Sequence, residues 1–235
     1  MFIMMFAAVF MALPAVAAQG FEKDTIHTTA GDVEITFIGH GTLMLTSGKK
    51  VIHIDPWRHL ANYTTLPKAD IILLTHHHPD HLDAKAIEYV RQKNTTLILT
   101  GQCATKMSGG VIMKNGDTQT IDGITIEAIP AYNLEKFYHP KGEGNGYMLT
   151  IGDKRIYIAG DTENTPEMKA LKNIDVAFLP MNLPYTMTPE MVADAALAFK
   201  PKVLYPYHFG ETDTSKLADL LKGHPEIELR IRKMK

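Results

Sequence analysis

A chain of 235 residues that is 45% hydrophobic can bury a large core as one domain or two closely fused halves, which excludes a disordered polypeptide. Lysine and arginine number 24 against 26 aspartates and glutamates, and a net charge of -2 offers no basic field to a nucleic-acid backbone. The single cysteine, Cys103, excludes an internal disulfide and reads as a small buried residue, so packing and bound ions must hold the fold.

Before the first charged residue, Glu22, the chain runs through an apolar stretch to Leu13, then Pro14 and the small-residue segment Ala15-Val16-Ala17-Ala18. That run is too short for a comfortable membrane span and has the shape of a cleaved signal peptide, although a basic start is missing. Residues 1–18 are expected to be that signal and residues 19–235 a single mature domain. A periplasmic or secreted location follows, with no stable membrane insertion after cleavage.

Residues 33–37 alternate apolar and polar, 43–46 and 51–54 follow, and Ser47-Gly48 supplies a turn, so three antiparallel strands are expected. Residues 71–74 form a continuous apolar run, as in a strand buried on both faces. Asp83 is placed to cap a helix over 84–93, and a strand over 96–100 comes next. Asp122-Gly123 turns a hairpin between 118–121 and 124–129, and Gly152-Asp153 turns another between 146–151 and 155–159. Thereafter the spacing predicts helix 166–171, strand 175–180, helix 189–199 opened by Thr188-Pro189, strand 202–205, helix 215–222 and a last strand over 227–231. Each half opens with hairpins and closes with β-α-β units, which implies an α/β fold of two mixed sheets packed face to face with helices on the outer faces. The stretch 130–145 exceeds ordinary connection lengths and reads as a functional loop.

Thr75-His76-His77-His78-Pro79-Asp80-His81-Leu82-Asp83 concentrates four imidazoles and two carboxylates directly after the buried strand. In extended chain, residues two apart point the same way, so His76 and His78 can converge on one ion while His77 faces elsewhere. Pro79 then turns the chain, and Asp80 with His81 can face a second ion. Such ligands favour zinc, with manganese and iron as alternatives.

The His-x-His-x-Asp-His pattern resembles the signature of the metallo-β-lactamase superfamily. Further pieces stand in the family's order: Asp55 in Ile54-Asp55-Pro56, Gly160-Asp161-Thr162, and His208 near the end. Gly39-His40-Gly41-Thr42 and His81-Leu82-Asp83 are similar to the branch holding ascorbate-phosphate lactonase and the phospholipase D of N-acyl-ethanolamine phospholipids. The resemblance implies a four-layer αβ/βα sandwich and two divalent metal ions. His76 and His78 would bind the first, Asp80, His81 and His208 the second, and Asp161 would bridge them.

The family's usual third histidine for the first ion is absent from 129–133, where Asn133 stands. Asn133, His139 from the long loop, or water are the alternatives for completing that shell, so the first site reads as weak or partly filled. Asp55 is expected to orient a ligand histidine from behind. Trp57, Tyr132, Tyr185 and Tyr207 are candidates for the pocket wall, though aromatic residues beside loops commonly pack.

The activity implied is hydrolysis of an ester, lactone or phosphodiester bond in a small-molecule substrate, by a hydroxide that the ions activate. Asp80 would orient the nucleophile, with His40, His139 or metal-bound water protonating the leaving group. Two other readings stay open: a catalytically weak or inactive metal-binding protein of the same fold, motivated by Asn133, and a di-iron redox site, disfavoured because such proteins usually place glutamate where His78 stands.

Overall fold

The computed structural model describes residues 20–235, and the segment read as a signal peptide lies outside the described residues. Two seven-stranded sheets form the middle of the molecule. In the first, β1 (Glu22–Thr28), β2 (Gly31–Gly39), β3 (Thr42–Ser47) and β4 (Lys50–Ile54) pair antiparallel in chain order. Parallel β5 (Ile71–Leu73), β6 (Thr96–Leu99) and β7 (Val111–Ile112) complete it. The second sheet repeats the scheme. Antiparallel β8 (Thr118–Ile121), β9 (Ile124–Ala131), β10 (Gly144–Ile151) and β11 (Lys154–Ile158) lead to parallel β12 (Val176–Pro180), β13 (Val203–Tyr207) and β14 (Glu228–Leu229).

Strand alternation sorts the side chains into layers. Ile35, Phe37 and Leu45 from the first sheet meet Tyr147, Ile156, Phe178 and Tyr205 from the second in the central core. There Phe178 stacks on Tyr205 at 5.0 Å between ring centroids. The opposite face of the first sheet, with Ile72, Leu74 and Leu97, packs under α1 (Ala84–Val90) and α2 (Gly101–Ala104), where Cys103 is buried. The outer face of the second, with Met148, Tyr157 and Leu179, packs under α3 (Pro166–Lys169), α4 (Pro189–Phe199) and α5 (Thr214–Leu221). The central strands are apolar on both faces because each has a layer on either side, and the four-layer sandwich expected from the sequence is what they build.

The differences from expectation are local. β9 and β13 run two residues beyond their expected ends, through Pro130 and Pro206, because a proline lacking its N–H still keeps extended geometry near a strand end. α1 stops at Val90 rather than residue 93, since Arg91 turns extended and Thr95 Oγ1 accepts the Gln92 amide. β1 was not expected: Glu-Lys-Asp-Thr-Ile-His-Thr shows no apolar face, and only Ile26 is buried. This edge strand is held by full pairing to β2 and by Asp24, whose carboxylate accepts from Tyr205 and from Arg232 Nη2 at 2.8 Å.

Burial opposes the charge on Asp24, but the Tyr205 hydroxyl and the Arg232 guanidinium outweigh it and hold the carboxyl below its ordinary 3.8. A depressed folded value means the stabilisation is fully present above the ordinary pKa and is lost as pH falls through the folded one. Asp24→Asn should therefore cost roughly 1–3 kcal/mol at neutral pH, with a much smaller difference from the parent at about pH 2.5. Urea unfolding at both pH values checks this, and an equal loss at both would contradict it.

Candidate metal centre

Most of the chemically promising side chains sit just beyond the C-terminal end of a strand, on one edge of the sandwich, where loops carry functional groups over a rigid base. Asp55 follows β4, the histidine cluster follows β5, Asp161 follows β11, Asn182 follows β12 and His208 follows β13.

After β5 the chain runs on through His76 and bends at His77 and His78. A turn in which the His81 and Leu82 amides both donate to His78 O then brings Asp80 and His81 back over the strand end. Asp83 closes the turn as the cap of α1, accepting from Lys85 N and Ala86 N. Behind the cluster, Asp55 is buried and lies in the left-handed region at φ 46. It accepts from Thr75 N at 2.8 Å and from His81 Nδ1 at 2.8 Å, which fixes the ring and points Nε2 forward. Two glycines make room: a Cβ on Gly41 would come within 2.7 Å of His81 Cε1, and one on Gly160 within 3.0 Å of Asn145 O.

The expected residues meet. Nε2 of His76 lies 3.1 Å from Nδ1 of His78, and these two with His139 form one set of converging ligand atoms. His40, Asp80, His81 and His208 form another. Asp161 stands between the sets. Its Oδ2 lies 3.3 Å from His139 Nε2, 3.4 Å from His208 Nε2 and 3.9 Å from His76 Nε2, while Oδ1 lies 3.6 Å from His81 Nε2. Asp80 Oδ2 is 3.7 Å from both His81 Nε2 and His208 Nε2, and 3.1 Å from His40 Nε2. His77 joins neither set.

Of the three ways left open for completing the first shell, the geometry selects His139. Asn133 stands behind it, donating its backbone N–H to His139 O at 2.9 Å and its side-chain amide to Tyr185 O at 2.8 Å. A third imidazole beside His76 and His78 thus comes from the long loop instead of a strand end.

Burial lowers the pKa of His76, His78 and His139, so these rings are neutral at pH 7 with a lone pair free to ligate. Burial also opposes charge on His81, but Asp161 and Asp55 outweigh it and push this histidine up to about 10. The field between the two sets therefore favours positive charge strongly. His81 Nε2, His139 Nε2, His208 Nε2 and Asp161 Oδ1 are all buried without a hydrogen-bond partner, which proteins rarely tolerate. Separations of 3.3–3.9 Å around Asp161 are long for hydrogen bonds, yet close to the roughly 3.3 Å ligand–ligand edge of a tetrahedral zinc site with bonds of about 2.0 Å. The residues fit a pair of divalent cations.

Comparison with known proteins shows the family. The model of the beta-lactamase superfamily domain matches residues 34–208, and the chain belongs to that family. It is 29% identical over 221 residues to a UPF0173 metal-dependent hydrolase of Pelotomaculum thermopropionicum, covering 85% of this chain and 96% of that one. A relative of the same name in Thermus thermophilus is 32% identical over 192 residues, 75% of this chain and 84% of its own. Among solved structures, a protein of Parabacteroides distasonis provisionally designated a metal-dependent hydrolase is 50% identical with a TM-score of 0.89, covering 92% of this chain and 100% of that one. Igni18, a metallo hydrolase of Ignicoccus hospitalis, is 25% identical with a TM-score of 0.72, covering 86% of this chain and 95% of that one.

One residue the sequence did not flag is Glu163, two positions after Asp161. Its buried carboxylate accepts from Leu134 N at 2.7 Å, Glu135 N at 3.1 Å and Lys136 Nζ at 2.5 Å, latching the His139 loop to the β11 end. The only sequence signal was adjacency to Asp161, which does not separate it from a turn acid. Glu163→Ala should speed amide exchange in residues 133–140 by about tenfold or more, since roughly 1–3 kcal/mol of loop anchoring is removed. Exchange unchanged in that segment would refute the latch.

Proposed function

We propose that this protein is a hydrolase that opens an ester, lactone or phosphodiester bond of a small molecule at a centre of two divalent cations, zinc in the first instance. The observation that carries the reading is the convergence of four partnerless buried ligand atoms on the space around Asp161. The designation of its relatives as metal-dependent hydrolases supports the same reading.

In this reading His76, His78 and His139 would hold one cation and Asp80, His81 and His208 the other, with Asp161 standing between the two sets. When bound, the cations supply Lewis acidity and lower the pKa of water toward neutrality. The chain's own groups do the rest. Burial works against ionised Asp80, but the His40 hydrogen bond and the nearby His81 outweigh it and keep the carboxyl far below the ordinary range. It therefore serves as a ligand and as an acceptor orienting water, and cannot act as an acid at neutral pH. His139 has its Nε2 turned inward to the cluster, which removes it from proton delivery. His40 lies at the mouth, beside Trp57 at 5.1 Å; burial lowers its pKa, so it is a neutral ring at pH 7, placed to relay a proton from water to the departing oxygen.

His78→Ala and His208→Ala each remove a ligand from a different cation. Each is expected to lower kcat/KM at least about a hundredfold, with thermal unfolding of the sandwich retained and bound metal reduced. Metal analysis of the parent protein separates this reading from an inactive metal-binding protein: about two tightly held ions per chain favour turnover. Full activity in both variants would sink it.

A further inference from the structure

The cleft leading from Asp161 to solvent, about 440 Å³, has an aromatic wall. Trp57 enters it from the loop after β4 of the first sheet, Tyr138 from the His139 loop, and Tyr185 from the loop after β12. The Tyr138 and Tyr185 rings meet edge to face at 5.0 Å, and Phe137 extends the row outward at 6.2 Å from Tyr138. Phe137 is 93% exposed, and Leu183, on the loop of Tyr185, is 45% exposed. Of the nine large exposed hydrophobics among the described residues, five lie on these two loops, so the apolar surface is concentrated at the mouth of the site instead of being scattered.

The charges point the same way. Among the described residues lining the cleft, the ionisable groups are histidines, tyrosines, Asp80 and Asp161, and none is lysine or arginine. The cations that flank it are already committed: Lys136 to Glu163 and Thr186 O, Arg58 to Asp83. An anionic group projecting outward from the reacting bond would meet no guanidinium or ammonium, the groups that recognise phosphate. An apolar arm, in contrast, would cover aromatic faces that water now wets.

We propose that Trp57, Tyr138 and Tyr185 determine specificity, and that they select an ester or lactone whose arm beyond the reacting bond is uncharged and apolar over one whose arm carries an anion. This rests on the hydrolytic reading of the metal centre and narrows its substrate class. The apolar arm lies along the tyrosine row, while the carbonyl faces the cluster around Asp161.

Trp57 is the only tryptophan of the chain, so its emission reports occupancy of the cleft without requiring turnover. The zinc-loaded full chain is titrated with N-methyloctanamide, N-methylacetamide and 8-(methylamino)-8-oxooctanoate, uncleaved stand-ins for esters with an apolar arm, no arm and an arm ending in an anion. The octanamide is expected to saturate at a concentration at least about tenfold below either of the others. Tyr138→Ala and Tyr185→Ala should each weaken it about fivefold, with Tyr185→Phe retaining the parent affinity because the ring face is what is used. Equal affinities for N-methyloctanamide and N-methylacetamide, tighter binding of the amide with the anionic arm, no saturable response, or alanine variants that bind as the parent does would each overturn the proposal. Hydrolysis of p-nitrophenyl acetate and octanoate is measured in parallel. Selective octanamide binding without any hydrolysis would defeat the hydrolase reading while leaving the aromatic clamp standing.

Discussion

A carboxylate buried among imidazoles is the constraint on which the rest of this structure depends. Asp161 is almost fully enclosed, and stripping water from an ionised carboxylate is costly unless positive charge is close by. The charge of His208 and His81 offsets that cost and holds Asp161 well below the ordinary aspartate range despite burial. The nitrogens stand too far away to satisfy the oxygens as a tight hydrogen-bond network would. Such a site costs stability as packing and makes sense as a receptacle for cations.

Holding it open falls to atoms one step further out. Asp55 links β4 to β5 by binding Thr75 and His81 together, so the orientation of a ligand ring is tied to the pairing of two core strands. Tyr207 Oη accepts from Gly160 N, and Asn145 N donates to Thr75 O, so both sheets grip the same edge. The cluster is thus built where the two halves of the sandwich meet. A shift of either sheet would move Asp161 against the histidines.

One ligand is supported differently. His139 comes from an irregular loop at φ 57, held by Glu163 and by the backbone of Asn133. The same loop carries Phe137 and Tyr138 to the mouth of the cleft. The loop that brings the third imidazole to His76 and His78 therefore also shapes the outer wall, so in the proposed reading a single segment would serve both metal and substrate.

Much of this was legible in the chain itself, for reasons of short-range physics. Apolar runs between turn residues marked the strands, Thr188-Pro189 and Asp83 marked helix starts, and four imidazoles within six residues after a core strand marked the site. The hidden parts were those whose signal is long-range. β1 lacks an apolar face because it is an edge strand whose partner is β2 and whose anchors, Arg230 and Arg232, lie some 200 positions away in the chain. His139 was one of three equal alternatives, because no local spacing says how a twelve-residue loop folds back; only the latch on Glu163 decides it. Ligand identity at strand ends is a property of the sequence, since each strand carries its own donors. Which donors share an ion, and what wall faces them, is decided by the packing of two sheets and two loops, which no single stretch of chain encodes.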